Sequence, residues 1–527
     1  MDCTLRDGGF VNDWNFGNGT IKFILQRLIN AKTDFVEVGF LDQRRSYDYN
    51  RSIYPDMKAV KTAIGEMDKN ETEFVAMVDY GTCDIGHICD QKDTFIDGIR
   101  IIFKKPDMYR AMELGREIME KGYFVTLQLV SVTAYEDRDI LDFCHAANRM
   151  QPYGVGIVDT YGLMHKEQMW HYFGLLDSNL DESIAIGYHS HNNFQLAYSN
   201  TIGILDMQTA RTVILDGSAY GLGKSAGNAP LELLAMHLNE FYKKSYHLNE
   251  ILEIIDSCVI PIQRKFSWGY SLEYFLAACN NCHPKYIGYL SGKATLSVES
   301  INEIAKDIED GKKLNFDKGH IEKLYAMYQM RNFPDDTAWK ALAEKYAGKD
   351  ILLLAPGKSV TLKSMYIQDY IRNKKPVVIA VNFIPDAVKA DGIFVGNSKR
   401  YKMFAEKLRS MGDRVFSIAT SNVSCIYNKF DYVINIENVK DSSDAIADNS
   451  MAMALNLLRI LGIGTVSLAG FDGYDMHNLA MSYCDECFNY SEDYERLRRV
   501  NRQLKEKIHA LKAVMDISFL TESVYEE

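Results

Sequence analysis

The sequence predicts an α/β protein: an N-terminal (β/α)8 TIM barrel, a helical extension, and a C-terminal Rossmann-like α/β domain. Three observations carry this reading. Over about the first 240 residues, eight short β-branched or aromatic runs alternate with segments whose apolar residues recur at helical spacing. The polar residues with chemical potential stand where those runs end. From residue 351 onward, further apolar runs alternate with helical segments at the spacing of a three-layer sheet. The boundaries that follow are 1–285, 286–348 and 349–527.

The eight runs are CTL at the start, FVEVGF (35–40), EFVAMV (73–78), GIRIIF (98–103), FVTLQLV (124–130), GVGIVD (154–159), IAIGYHSH (184–191) and TVILDG (212–217). Between them, stretches such as TIKFILQRLINAK (20–32) and MYRAMELGREIMEKG (108–122) have helical periodicity and close on Gly or Lys. Eight such units fit a closed barrel, whose active site lies at the C-terminal ends of the strands. A doubly wound open sheet is the competitor, and the polar residues decide between them. Arg6 and Asp7 follow the first run, Glu37 lies on the second, Asp159 ends the sixth, His189 and His191 lie on the seventh, and Asp216 follows the eighth. In a closed barrel the first strand lies beside the second and the eighth, which gathers these ends on one rim.

The extension, with VESINEIAKDIEDGKK (298–313) and TAWKALAEKYAGK (337–349), is helical and charged. After it come ILLLAPGKSV (351–360), PVVIAVN (376–382), DGIFVGN (391–397), RVFSIATS (414–421), DYVINI (431–436) and TVSLAGFDGY (465–474). Ligands of such sheets bind beyond the C-terminal strand ends, where Gly357, Lys358, Ser359, Asn382 and Asn397 lie. The APGKS turn is therefore read as a phosphate or nucleotide contact, with a purely structural turn as its competitor.

Composition sets limits on partners. A net charge of -12 argues against nucleic acid and anionic membrane surfaces, which demand clustered Lys and Arg. No uninterrupted apolar run is long enough to span a bilayer, and the opening residues have none of the features of a secretory signal, so a cytoplasmic address is expected. Ten scattered cysteines read as reduced thiols. Two CxxC pairs, Cys279/Cys282 and Cys484/Cys487, fall in different domains, and coincidence is preferred to a shared zinc site.

His189 and His191 are two apart on an extended segment and so share a face. With Asp7 brought near by the barrel, they form a two-His, one-carboxylate set suited to a divalent ion such as Mn2+, Mg2+, Zn2+ or Fe2+. The glycine-rich loop GLGKSAGNAPLELL (221–234) leads into a helix, and its Asn228 either reaches the metal or its ligand or serves helix entry.

At this point the motifs accumulate. DCTLRDGG (2–9), FVEVGF, IVDTYG (157–162), GYHSHNN (187–193) and LDGSAYGLGKSAGNAPLE (215–232) together resemble the HMG-CoA lyase-like, or DRE-TIM metallolyase, superfamily over roughly the first 290 residues. Within it they look most like the 4-hydroxy-2-oxovalerate aldolase branch. The resemblance implies that Asp7, His189 and His191 hold a divalent metal, Mn2+ first, with Mg2+, Zn2+ or Co2+ as alternatives. That metal would chelate a 2-oxo acid, and Arg6 would stabilise the enolate oxygen. Asn228, Tyr270 and Asp159 are implied around the substrate or behind the ligands.

The implied function is a pyruvate-type aldolase joining or releasing an aldehyde, in surface-polysaccharide or sugar-acid biosynthesis, with a homodimer as the family's usual assembly. The alternatives are a Claisen condensation of acetyl-CoA and a barrel that no longer catalyses. One departure is Phe10, where the aldolases carry an acid/base histidine. Glu37 is the first substitute for it, ahead of His283, Tyr270 and Tyr274. A second is the short segment before DCTLRDGG, which clips the first strand or places the true start upstream. The segment NSMAMALNLLRILGIGTVSLAGFDGY (449–474) resembles sialyltransferase-like Rossmann domains, which implies a sugar-nucleotide or phosphosugar ligand.

Overall fold

The computed structural model describes residues 1–65, 67–293, 295–313, 316–330, 334–423, 430–474, 483–484 and 494–526. Contacts divide the chain into two units, Met1–Pro284 and Lys285–Glu527. Cys487, one half of the second CxxC pair, lies outside the described residues.

The first unit is built on β1 (Phe35–Leu41), β2 (Ile53–Tyr54), β3 (Glu73–Asp79), β4 (Gly98–Phe103), β5 (Phe124–Leu129), β6 (Gly154–Asp159), β7 (Ala185–Ser190) and β8 (Val213–Leu215). From β1 through β3 to β8 each strand pairs in parallel with the next, and the short β2 pairs in parallel with the C-terminal end of β1, Phe40 opposite Ile53 and Leu41 opposite Tyr54. Seven of the expected strands are thus present.

The first is reduced to one residue, yet it closes the barrel. Asp2 bridges Val36 on one side and Gly217 on the other. Its N–H donates to Phe35 O (2.8 Å), its carbonyl accepts from Glu37 N–H (2.9 Å), and the Cys3 N–H donates to Gly217 O (2.9 Å). The two edges that an open sheet would leave apart meet here. Around the barrel, helices bury one stripe each. In Asn18–Asn30 the buried residues are Ile21, Ile24, Leu25, Leu28 and Ile29, the i, i+3, i+4, i+7, i+8 set of an amphipathic helix.

The second unit holds β9 (Ile351–Leu354), β10 (Val377–Val381), β11 (Gly392–Val395), β12 (Phe416–Thr420), β13 (Tyr432–Ile434), β14 (Thr465–Ala469) and β15 (Asp516–Phe519), all parallel, in the order β13-β12-β11-β10-β9-β14-β15. Helices cover both faces. Ile351 and Leu353 point into one apolar cluster with the helices Ser450–Ile460 and Tyr494–Lys512, whereas Leu352 and Leu354 point into another with Ser398–Met411. This is the strand alternation that a buried parallel sheet requires.

Residues expected to form a separate extension supply part of this core: Leu342 and Tyr346 of the helix Asp336–Tyr346 are fully buried in the first of those clusters. Among the described residues no helix is long and apolar enough to cross a membrane.

Candidate metal centre

The C-terminal rim of the barrel gathers the ligand set. Asp7 follows the closing bridge, in a turn fixed by its N–H donating to Cys3 O (2.8 Å). His189 lies on β7, and His191 just beyond it is held by a bridge to Asn228 in the glycine-rich loop. One ligand atom from each of Asp7, His189 and His191 lies within 4.8 Å of the other two, and all three residues are buried. Among the described residues this is the one such cluster. The close approach depends on Gly223, where a Cβ would sit 2.5 Å from Asp7 Oδ2 and 2.2 Å from Asn228 Nδ2.

The hydrogen bonds behind the ligands set which atoms face the centre. His189 Nδ1 meets Asp216 Oδ2 (3.2 Å) and His191 Nδ1 meets the Gly227 carbonyl (3.3 Å). A carboxylate and a carbonyl only accept, so each neutral ring carries its proton on Nδ1 and offers Nε2 as a lone pair, the tautomer a metal needs. Burial pushes the His191 imidazole down to about 3, with Asp7 working against it, so this ring is neutral at ordinary pH.

Burial alone would raise the Asp7 carboxyl, but Arg6 and both histidines hold it well below the usual carboxylate range. His189 Nε2 and Asn228 Oδ1 are buried acceptors with no hydrogen-bond partner. Unpaired buried acceptors are costly, and a divalent cation held by Asp7, His189 and His191 gives His189 Nε2 its partner. The residues present fit such an ion.

Behind the ligands runs a ring of buried charge. Arg6 donates from Nη1 to Asp7 Oδ1 (2.7 Å) and from Nε to Glu37 Oε2 (2.7 Å). Arg100 donates to Glu37 Oε1 (2.9 Å), Gln128 Oε1 (3.0 Å) and Asp216 Oδ2 (2.8 Å), and Asp216 returns the ring to His189. Three carboxylates against two guanidiniums leave one excess negative charge. A divalent ion reverses its sign, so the loaded pocket attracts an anion.

Residues 1–257 match the HMGL-like family model. This stretch of the chain is an HMGL-like domain. The 4-hydroxy-2-oxovalerate aldolase of Bacillus thuringiensis is 26% identical over 277 residues, covering 50% of this chain and 75% of that one. The oxaloacetate decarboxylase of Mycobacterium tuberculosis is 25% identical over 245 residues, covering 45% of this chain and 69% of its own. Among solved structures, the N-terminal domain of a candidate aldolase from Bacteroides vulgatus is 24% identical with a TM-score of 0.47, covering 57% of this chain and 98% of that one. The HMGL-like family includes lyases, and its aldolases use a divalent metal.

Within the HMGL-like barrel the remaining expected residues take varied parts. Glu37, expected to move protons, is fully buried with both oxygens accepting from guanidinium groups, which makes it a positioning residue for Arg6. Asn228 does reach a ligand, donating to Asp7 Oδ2 (2.9 Å). Asp159 serves its own loop: its oxygens accept the Leu163 and Met164 N–H groups (3.0 Å each) after β6.

Tyr270 is 61% exposed, with the Phe275 ring as its neighbour. Tyr274 lies on the helix Leu272–Cys279, and His283 immediately precedes the helix Pro284–Ser291. Phe10 lies on the rim against Trp14 and Phe40, and the Lys224 ammonium stands 5.5 Å over its ring. Arg100 and Gln128 escaped the sequence reading; the signal was an arginine inside the apolar strand GIRIIF.

In the second unit the APGKS turn is tied to its own sheet. Gly357 N–H donates to Gly470 O (2.8 Å), and the Ser359 N–H (2.8 Å) and hydroxyl both go to Asp472. The donors expected to cradle a phosphate at Ser359 are thus spent on a carboxylate; Lys358 precedes the one-turn helix Ser359–Leu362.

Proposed function

We propose that the barrel makes or breaks the bond between C3 and C4 of a 2-oxo acid, one carbon removed from the keto group, through a pyruvate-type enolate, with an aldehyde as the second partner. The observation that carries this reading is the ligand set Asp7, His189 and His191 with the Arg6 guanidinium bound to one of its members. The substrates named for the two curated relatives support it. In both 4-hydroxy-2-oxovalerate and oxaloacetate, cleavage of the bond between C3 and C4 leaves the enolate of pyruvate.

A divalent metal, when bound, supplies a Lewis acid for the keto and carboxylate oxygens. The chain's own groups do the rest. Glu37 and Asp7 fix two edges of the Arg6 guanidinium, and its remaining N–H groups are left for negative charge that grows on the enolate oxygen. Arg6 remains charged despite burial, because Glu37 and Asp7 raise it above the ordinary arginine value. Phe10 offers no proton at the rim.

Loss of protons from the pyruvate methyl group in deuterated buffer with Mn2+ tests the reading. The protein should catalyse metal-dependent exchange, and Asp7→Ala should lower it by roughly 100-fold or more, the scale on which losing an electrostatic stabiliser acts. A folded, metal-loaded protein that leaves the methyl protons in place would defeat the proposal.

A further inference from the structure

We infer that the second unit binds a phosphorylated nucleoside in the cavity beyond the carboxyl ends of β9, β10, β11 and β14. The topology creates the opening. The chain winds from β9 outward to β13, then crosses to place β14 on the other side of β9. The strands that follow β9 and β14 lie on opposite sides of that pair, a switch of direction at which open parallel sheets take ligands. A cavity of about 180 Å3 lies there, lined among others by Asn382, Asn397, Arg400 and Phe471.

Charge placement supplies the anionic end. The helix Ser398–Met411 carries Lys399 and Arg400 in its first turn and no acidic residue there. Cations at the positive end of a helix dipole are unfavourable, and Arg400 is only 9% exposed. Burial also pulls the Lys399 ammonium below its ordinary value. The helix Ser450–Ile460 likewise begins at the cavity without an acidic first turn, and Arg496 is the second cation of the lining, which also holds Asp448 and Asp472. Arg400, whose guanidinium lies 4.7 Å over the Tyr483 ring, and Arg496 thus bring two guanidinium groups to a cavity where two helices begin, a setting suited to a phosphate.

Backbone geometry points the same way. Asn382 ends β10 at φ 59°, a left-handed conformation for a buried non-glycine residue. Its side-chain oxygen holds the Gly396 N–H (2.9 Å), which fixes the turn that launches the Arg400 helix. Strain of this kind persists where surrounding structure imposes it, commonly at ligand clamps.

Two further features choose a nucleotide over inorganic phosphate. Asp448, whose carboxylate accepts the Thr295 hydroxyl (2.9 Å), repels a bare anion but accepts from the hydroxyls of a sugar. Phe471, Leu497 and Val500 give the cavity an apolar wall for a base. The APGKS turn is not the phosphate site, because Asp472 already takes its donors.

Titration calorimetry on the full chain tests this with AMP, GMP, CMP, UMP and their diphosphates, beside the nucleosides and inorganic phosphate. At least one nucleotide should bind, with its nucleoside and phosphate alone weaker by roughly tenfold or more. Arg400→Gln should lose a similar factor. Arg496→Gln, at a more exposed position, repeats the test where the first variant fails to fold. Absence of binding to every nucleotide at about 1 mM, a nucleoside that binds as well as its phosphate ester, or affinity untouched in folded Arg400→Gln and Arg496→Gln would overturn the inference.

Discussion

Arg100 stands in the middle of the apolar run GIRIIF, 2% exposed, with its guanidinium divided among Glu37, Gln128 and Asp216. Through Glu37 it holds Arg6, and through Asp216 it sets the His189 tautomer, so one side chain supports both the guanidinium and a metal ligand. Replacing it with Met keeps much of the volume but leaves two buried carboxylates short of a partner. That change should cost about 3–5 kcal/mol of stability, the usual penalty for breaking a buried ion pair, read from the denaturation midpoint. A variant as stable as the parent would show that the ring is not a mutual support. The same residues mark what the sequence revealed. Asp7, His189 and His191 were legible because an HxH on a strand has a fixed geometry. Arg100 was not, because a lone arginine among Ile and Phe looks the same whether it is exposed at an edge or buried at a barrel's centre.

At the scale of the element, β6 and its loop show how a strand end is fixed. Asp159 accepts two N–H groups of the following loop, yet burial dominates and pushes its carboxyl up to about 6. The folded protein therefore binds a proton more tightly than the unfolded chain, whose aspartate titrates near 3.8. Stability from this group is complete below about pH 4 and is lost as pH rises through about 6, a change of about 3 kcal/mol.

Asp159→Asn should remove that slope between pH 4 and 6, where the parent's unfolding free energy falls relative to the variant's; parallel pH profiles would refute the assignment. Elements were legible where apolar runs stood out. Seven barrel strands announced themselves through β-branched runs, but β2 has only two residues, and β15, Asp516–Phe519, alternates polar Asp516 and Ser518 with Ile517 and Phe519 and so lacks a continuous apolar run. The first strand was expected to be clipped, and a single residue, Asp2, closes the barrel through backbone bonds that no side-chain pattern encodes.

At the scale of the molecule, two parallel sheets each gather their own apolar core: one cluster runs from Leu5 to Val259, and the clusters flanking the second sheet draw on Leu342 to Tyr525. The division into a barrel and a Rossmann-like unit was legible because a change of rhythm separates them. The part taken by residues near Leu342 was not, since a charged amphipathic helix reads alike whether its apolar stripe meets a partner or stands alone.

Separate cores give separate melting transitions, and the ligand set lies wholly in the first unit. A divalent ion at 100 times its dissociation constant adds about 2.7 kcal/mol to whatever it binds, which for a unit of this size is about 5–10 °C. Calorimetry with and without Mn2+ should therefore move one transition by about that amount and leave the other in place, and Asp7→Ala should abolish the movement. A single transition displaced as a whole would mean that the two cores unfold as one, whereas a shift that survives Asp7→Ala would place the ion elsewhere than at Asp7, His189 and His191.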